Sequence, residues 1–236
     1  MHIILIPGLW LDASSWDEIV PALRSAGHDP HAVTLPGVEA LDADRSGVTL
    51  RDQVDAVVAL VDRIDPAEGR VLLVGHSGGG AVAHAVADAR PERVARVVYL
   101  ASEPLGDGRC INDELPVVDG EIPLPDWSVF DDEMVADLDD DLRAEFRARA
   151  IPSPVHVAQD AQRLSDERRY DVPITMICCE WPAEMLRAWI DEGELGVAEL
   201  GRIQDVTYVD LPAGHWPQFT RPDEVADVIL AAAAAG

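Results

Sequence analysis

The sequence predicts one α/β domain built on a mostly parallel central sheet, and three observations carry that expectation. Short apolar runs alternate with segments of helical periodicity along most of the 236 residues. The runs are continuously apolar rather than alternating, as strands buried on both faces are. The stretch Val71-Leu-Leu-Val-Gly-His-Ser-Gly-Gly-Gly80 joins one such run to a helical pattern through glycines, a composition suited to a sharp strand-to-helix turn. A chain of this length buries enough surface to hold a core without disulfides or a metal.

The strands are expected at Ile3–Ile6, Ala32–Leu35, Val71–Gly75, Val97–Leu100, Ile174–Cys178 and Val206–Leu211, each closed by Gly, Pro or polar residues. Ser15 with Glu18 has the spacing of a capping box, and Trp16, Ile19, Val20 and Leu23 then share a face. Thr49 with Asp52 repeats the signal ahead of Val54, Val57, Val58 and Val61. Gly78 to Ala89 reads as a small-residue helix stopped by Pro91, and Ala183–Asp191 and Asp223–Ala235 complete the set. Residues 102–171 break the alternation and are too long for an ordinary loop. They are expected to form a cap inserted into a core of residues 1–101 and 172–236, with helices over Met134–Leu142 and Leu142–Ala150. The acidic cluster in this segment lacks the spacing of a calcium loop.

The net charge is −26, and every one of the 18 basic residues is an arginine. So acidic a surface repels phosphate backbones and anionic membranes, which argues against nucleic-acid or membrane partners. The three cysteines, Cys110, Cys178 and Cys179, form no zinc-type spacing, and two lie in an apolar run. With no signal-peptide core and no apolar stretch of membrane-spanning length, the expected compartment is the cytoplasm.

The chemistry gathers around two motifs. Gly75-His-Ser77-Gly-Gly79 has the Gly-x-Ser-x-Gly form that lifts a serine hydroxyl onto a strained turn at a helix N-terminus. Ser77 is therefore the expected nucleophile. A phosphate loop would need a lysine that this chain lacks, and the first strand has no Gly-x-Gly-x-x-Gly. Gly214-His215-Trp216 follows the last strand, where open α/β sheets place their ligands. An imidazole there titrates close enough to neutrality to accept the serine proton, so His215 is the expected general base. Pro7-Gly8-Leu9-Trp10 follows the first strand, and the Leu9 and Gly78 N–H groups are the expected oxyanion-hole donors.

With these residues in place the chain resembles the α/β-hydrolase family, particularly its small esterase-like branch. The turn at Gly8 followed by Trp16, the elbow around Ser77, and Gly214-His215-Trp216 with Pro222 beyond it carry the resemblance. It implies the α/β-hydrolase fold with a helical cap, the order nucleophile–acid–histidine, and cleavage of an ester bond in a small, apolar substrate, with no cofactor or metal. The chain departs from the family at the oxyanion turn, where Pro7 replaces the usual histidine. It departs again at the acid, because Pro182 stands near the usual aspartate position. Glu180, two residues earlier, is the favoured acid, and Glu103 after the preceding strand is the alternative. Trp10, Trp127 and Trp216 are expected to line an apolar pocket, whereas His76 and His84 are read as filler. Two other functions fit the same fold. A hydroxynitrile-type lyase of the plant kind would need a lysine near the serine; a catalytically weak ligand-binding protein would tolerate the displaced acid.

Overall fold

The computed structural model describes residues 1–236. Its elements run β1 (His2–Ile6), α1 (Val20–Ser25), β2 (Asp29–Ala32), α2 (Leu50–Arg63), β3 (Val71–His76), α3 (Gly78–Ala89) and β4 (Val94–Leu100). They continue with β5 (Glu121–Ile122), α4 (Asp140–Arg149), β6 (Ser153–Pro154), α5 (Val155–Gln159), β7 (Ile174–Cys178), α6 (Ala183–Glu192), β8 (Val206–Asp210), α7 (Pro217–Thr220) and α8 (Pro222–Ala235). Six strands form one parallel sheet in the order β2-β1-β3-β4-β7-β8.

The apolar runs are continuous because the central strands are covered on both sides. In β1, Ile4 and Ile6 join α2, α3 and α6 in one layer, while Ile3 and Leu5 join α1 and α8 in the other. This is the period-two alternation of a strand, with both faces apolar. The edge strands β2 and β8 are only partly buried.

Strand order also determines where a site can lie. From β1 the chain crosses to β2 on one side, whereas β3 lies on the other side of β1 and the chain then moves outward through β4, β7 and β8. The loops after β1 and β3 therefore part at a switch point, the crevice where open α/β sheets bind ligands.

Several boundaries differ from expectation. The second strand ends at Ala32 rather than beginning there, since Asp29, Pro30, His31 and Ala32 pair with successive residues of β1. The Ser15–Glu18 capping box does not form. Asp12 caps a 3-10 turn over Ala13–Trp16 instead, and α1 starts only at Val20. Thr49 and Asp52 do form the reciprocal box at the start of α2.

Between β4 and β7 the expected pair of helices is one helix, α4. The Asp139 carboxylate accepts the Leu142 N–H at 2.8 Å and starts α4 at residue 140, leaving 131–138 as turns. The segment also contributes the antiparallel pair β5–β6 and a third apolar cluster, which includes Trp10, Ile122, Leu124, Phe146, Val157 and Trp216. No helix is long and apolar enough to cross a membrane.

Candidate active site

The elbow is built from glycines because no other residue would fit. A Cβ on Gly75 would lie 2.6 Å from the Gly79 carbonyl oxygen, and one on Gly79 would lie 2.5 Å from that of Ile6. With both absent, α3 packs directly against β1 and β3. Ser77 sits between β3 and α3 at φ 49°, ψ −125°, a region that non-glycine residues rarely occupy. Trp10 (φ 65°) and Ala101 (φ 46°) share a positive φ. These three follow the carboxyl ends of β1, β3 and β4, so local strain of about 1–3 kcal/mol per residue gathers at this crevice. The surroundings hold the serine in place. Its N–H donates to the Leu100 carbonyl at 3.0 Å, and its carbonyl accepts from the Gly80 N–H and the Ser102 hydroxyl, each at 2.8 Å.

His215 follows β8 and reaches the serine. Its Nε2 is 2.7 Å from Ser77 Oγ, and its Nδ1 meets Glu180 Oε1 in a short hydrogen bond. Glu180 thus occupies the position facing His215 that the sequence assigns it, and the added methylene of glutamate accommodates its early root. Glu103 approaches the same crevice from the end of β4 but makes no hydrogen bond to His215. Burial, reinforced by the Glu180 charge and opposed by His215, pushes the Glu103 carboxyl above the usual carboxylate range.

His76 is more than filler. It is fully buried, and desolvation together with the nearby His215 drives its imidazole down to about 3. The neutral ring donates Nε2–H to the His215 carbonyl at 2.8 Å. The His215 N–H in turn donates to the Met134 carbonyl at 2.8 Å. Both backbone polar groups of His215 are therefore held, one by His76 beside the elbow and one by the segment between β4 and β7.

Ser77, Gly78, His215, Leu9 and Trp10 line one cavity of about 500 Å³. The Trp10 N–H donates to Ser153 Oγ at 2.8 Å, whereas the Leu9 N–H has no backbone acceptor. The Gly78 N–H belongs to the first turn of α3, where helix donors lack intrahelical partners. Leu9 and Gly78 thus both border the cavity beside Ser77.

The far wall comes from the segment between β4 and β7, with Ile111, Leu115, Val129, Phe130 and Met134 interleaved with Glu114 and Asp131. Two of the three expected aromatic lining residues are elsewhere. Trp127 and Trp216 do not border this cavity. They stack edge-to-face on each other at 5.7 Å and on Phe146 at 5.6 and 5.2 Å, and Trp216 is 1% exposed. Trp216 also packs edge-on against the His215 ring at 5.0 Å, so it fixes the imidazole from one side. Phe130 takes the lining position, and no pattern in the sequence marks it.

A six-stranded parallel sheet bearing a serine–histidine–carboxylate relay at a strand-to-helix elbow is the architecture of a hydrolytic α/β enzyme. The family described as the alpha/beta hydrolase family matches residues 3–228, and the chain belongs to it. Among curated proteins, it is 28% identical over 244 residues to a pyrethroid hydrolase of Sphingobium wenxiniae, covering 96% of this chain and 85% of that protein. It is 26% identical over 254 residues to methylesterase 7 of Arabidopsis thaliana, covering 96% and 94%. Among solved structures, an extracellular α/β-hydrolase from a Paenibacillus species superposes with a TM-score of 0.77 at 22% identity, over 98% of both chains. That likeness shows the fold.

Proposed function

We propose that the protein is a serine esterase that cleaves small, uncharged esters with an apolar portion through an acyl-enzyme at Ser77. The observation that carries this reading is the continuous Glu180–His215–Ser77 relay opening onto a cavity that Leu9 and Gly78 also line. In the first half-reaction His215 Nε2 takes the Ser77 proton as Oγ bonds to the ester carbonyl carbon. The Leu9 and Gly78 N–H groups stabilise the oxyanion of the tetrahedral intermediate. His215 then gives its proton to the departing alcohol oxygen, leaving the acyl group on Ser77. Water repeats the sequence, with His215 as base, and releases the acid. Glu180 holds the Nδ1–H tautomer and balances the imidazolium that forms in each half.

The substrate class follows from the lining. Ile111, Leu115, Val129, Phe130 and Met134 line the cavity shared with the nucleophile, and the carboxylates among them are Glu114 and Asp131. A substrate carrying its own carboxylate would meet like charges there, in a protein already at −26. The relatives named as pyrethroid hydrolase and methylesterase support the ester reading. Residues 102–171 act as the cap that supplies the substrate wall. A cytoplasmic setting belongs to the same proposal, supported by three unpaired cysteines.

A fluorophosphonate probe should label Ser77. In a panel of p-nitrophenyl esters, the neutral butyrate should be hydrolysed at least about tenfold faster, in kcat/KM, than the equally long hemisuccinate monoanion. Labelling without turnover of any ester would transfer the site to ligand binding. Preference for the anionic ester would overturn the substrate class alone.

A further inference from the structure

At the opposite end of the sheet from Ser77, three side chains bring ligand atoms together. Asp29 pairs in register with His2 at the start of β1, and His31 lies two residues along β2 on the same face as Asp29. His2 Nδ1 is 2.9 Å from His31 Nε2 and 3.1 Å from Asp29 Oδ2, and His31 Nε2 is 3.4 Å from the same oxygen. The rings stack at an interplanar angle of 29° with centroids 5.2 Å apart, and His2 Nδ1 and His31 Nε2 are the ring atoms brought within 2.9 Å. On the far side of His2, Nε2 is 3.1 Å from Glu68 Oε2. That carboxylate offers an acceptor for Nε2–H, the tautomer in which Nδ1 is free to bind a metal. Two imidazole nitrogens and a carboxylate oxygen, from three side chains on two paired strands, thus converge on one point.

We propose that His2, Asp29 and His31 form a site for a divalent transition metal, with Zn²⁺ the best match, held between β1 and the edge strand β2. The spacing suits the ion. Tetrahedral zinc with bonds of ~2.0–2.1 Å to nitrogen and oxygen places its ligands about 3.3 Å apart, and the three atoms are separated by 2.9, 3.1 and 3.4 Å. Two imidazoles and one carboxylate select zinc over magnesium or calcium, which take oxygen ligands. Asp29 is 63% exposed, so water completes the shell from the solvent side. Glu68 supplies the carboxylate–histidine–metal contact that orients a ligating ring. The site is remote from Ser77 and independent of the esterase proposal. Its effect is to pin a four-residue edge strand to the sheet.

The test is zinc binding to the full chain, freed of metal by chelator, at neutral pH. A colorimetric zinc indicator serves as competitor, and excess Mg²⁺ occupies the surface carboxylates. We expect about one Zn²⁺ per chain and a higher melting temperature that chelator reverses. His31→Ala and Asp29→Asn should remove both effects, and Glu68→Gln should weaken binding by about 10- to 100-fold. Circular dichroism of the variants shows whether they remain folded, and Asp29→Asn preserves the side-chain shape if His31→Ala does not fold. Uptake of no zinc by the wild type would overturn the site and leave a proton-sharing histidine pair. Equal binding by His31→Ala and Asp29→Asn would overturn the ligand assignment.

Discussion

The protein contains the same chain of groups twice. At the crevice, a glutamate, a histidine and a hydroxyl run Glu180–His215–Ser77. Behind α3, Glu199 Oε1 lies 3.0 Å from His84 Nε2, and His84 Nδ1 lies 2.8 Å from the Tyr99 hydroxyl. The protons run in the same direction in both: hydroxyl to imidazole, imidazole to carboxylate. Burial lowers His84 and raises Tyr99, so the ring is neutral and the phenol keeps its proton. Burial also works to raise Glu199, but hydrogen bonds from His84 and Arg169 win and hold it at about 2. Arg169 Nε donates to Glu199 at 2.8 Å, and Arg169 also bonds Asp88 and the Tyr170 hydroxyl. This inner relay is sealed and its charge is matched, and its hydroxyl sits in a regular strand. The outer relay has a hydroxyl on a strained turn and an open cavity bordered by Leu9 and Gly78. A carboxylate–imidazole–hydroxyl chain is therefore not a site in itself. Access, strain and a place for developing charge make it one.

The largest expected effects should separate the two relays. Ser77→Ala is expected to lower ester turnover by ~10⁴- to 10⁶-fold, the scale of losing a triad nucleophile. His84→Gln should leave turnover per folded molecule within about tenfold. Comparable losses in the two variants would break the distinction. Next in size, Glu180→Gln should lower kcat by ~10²- to 10⁴-fold through the wrong imidazole tautomer. Glu103→Gln should cost under about tenfold, because Glu103 makes no hydrogen bond to the base. A larger loss for Glu103→Gln than for Glu180→Gln would move the acid to β4.

The outer relay was legible in the sequence and the inner one was not, for a physical reason. Ser77 sits in a local motif whose glycines are demanded by contacts within the elbow itself. His215 and Glu180 follow strands that the apolar runs make visible. His84 and Glu199 are 115 residues apart, joined only where α3 packs against the stretch between α6 and β8. Glu199 falls in a stretch with no periodic signal. His2, Asp29 and His31 depend on strand register, which a displaced reading of β2 conceals. In the inserted segment, Asp139 competes with helical periodicity by capping α4, which splits one expected helix into turns. Tryptophans are equally uninformative there, since packing and substrate lining call for the same side chain, and Trp127 and Trp216 turned out to pack.

Stability should order the relays the other way. Glu199→Gln removes the principal counter-charge of a buried arginine and should cost about 3 kcal/mol in urea unfolding, at the low end for a broken buried pair because Asp88 remains. Acid should reveal the same network. His84 is held below the ordinary histidine value and His76 at about 3. The unfolded chain therefore binds their protons as pH falls through ~6.5, while the folded protein does not. That contribution to stability is complete above ~6.5 and declines below it. Glu199, at about 2 when folded, adds a second loss that begins near ~4.3. Melting temperature should be level above neutrality and fall in two stages. His84→Gln should reduce the slope of the first stage and leave the His76 contribution, and an unchanged slope would show that His84 takes up its proton in the folded protein.

The smallest effect concerns the surface surrounding both relays. A net charge of −26 on 236 residues repels itself, and ions screen that repulsion over ~8–10 Å near physiological strength. Sodium chloride raised from low to moderate concentration should therefore increase the melting temperature by a few degrees, about the shift that 1 kcal/mol gives in a domain of this size. Chloride is the appropriate anion, because sulfate would add stability by exclusion from the surface. The informative quantity is the difference between wild type and Glu199→Gln across the same series. The inner pair is buried, so salt should shift both proteins in parallel and leave the penalty for losing Glu199 unchanged. A penalty that shrinks as salt rises would mean that solvent reaches Arg169 and Glu199. The contrast between an open relay and a sealed one would then rest on the elbow and cavity alone.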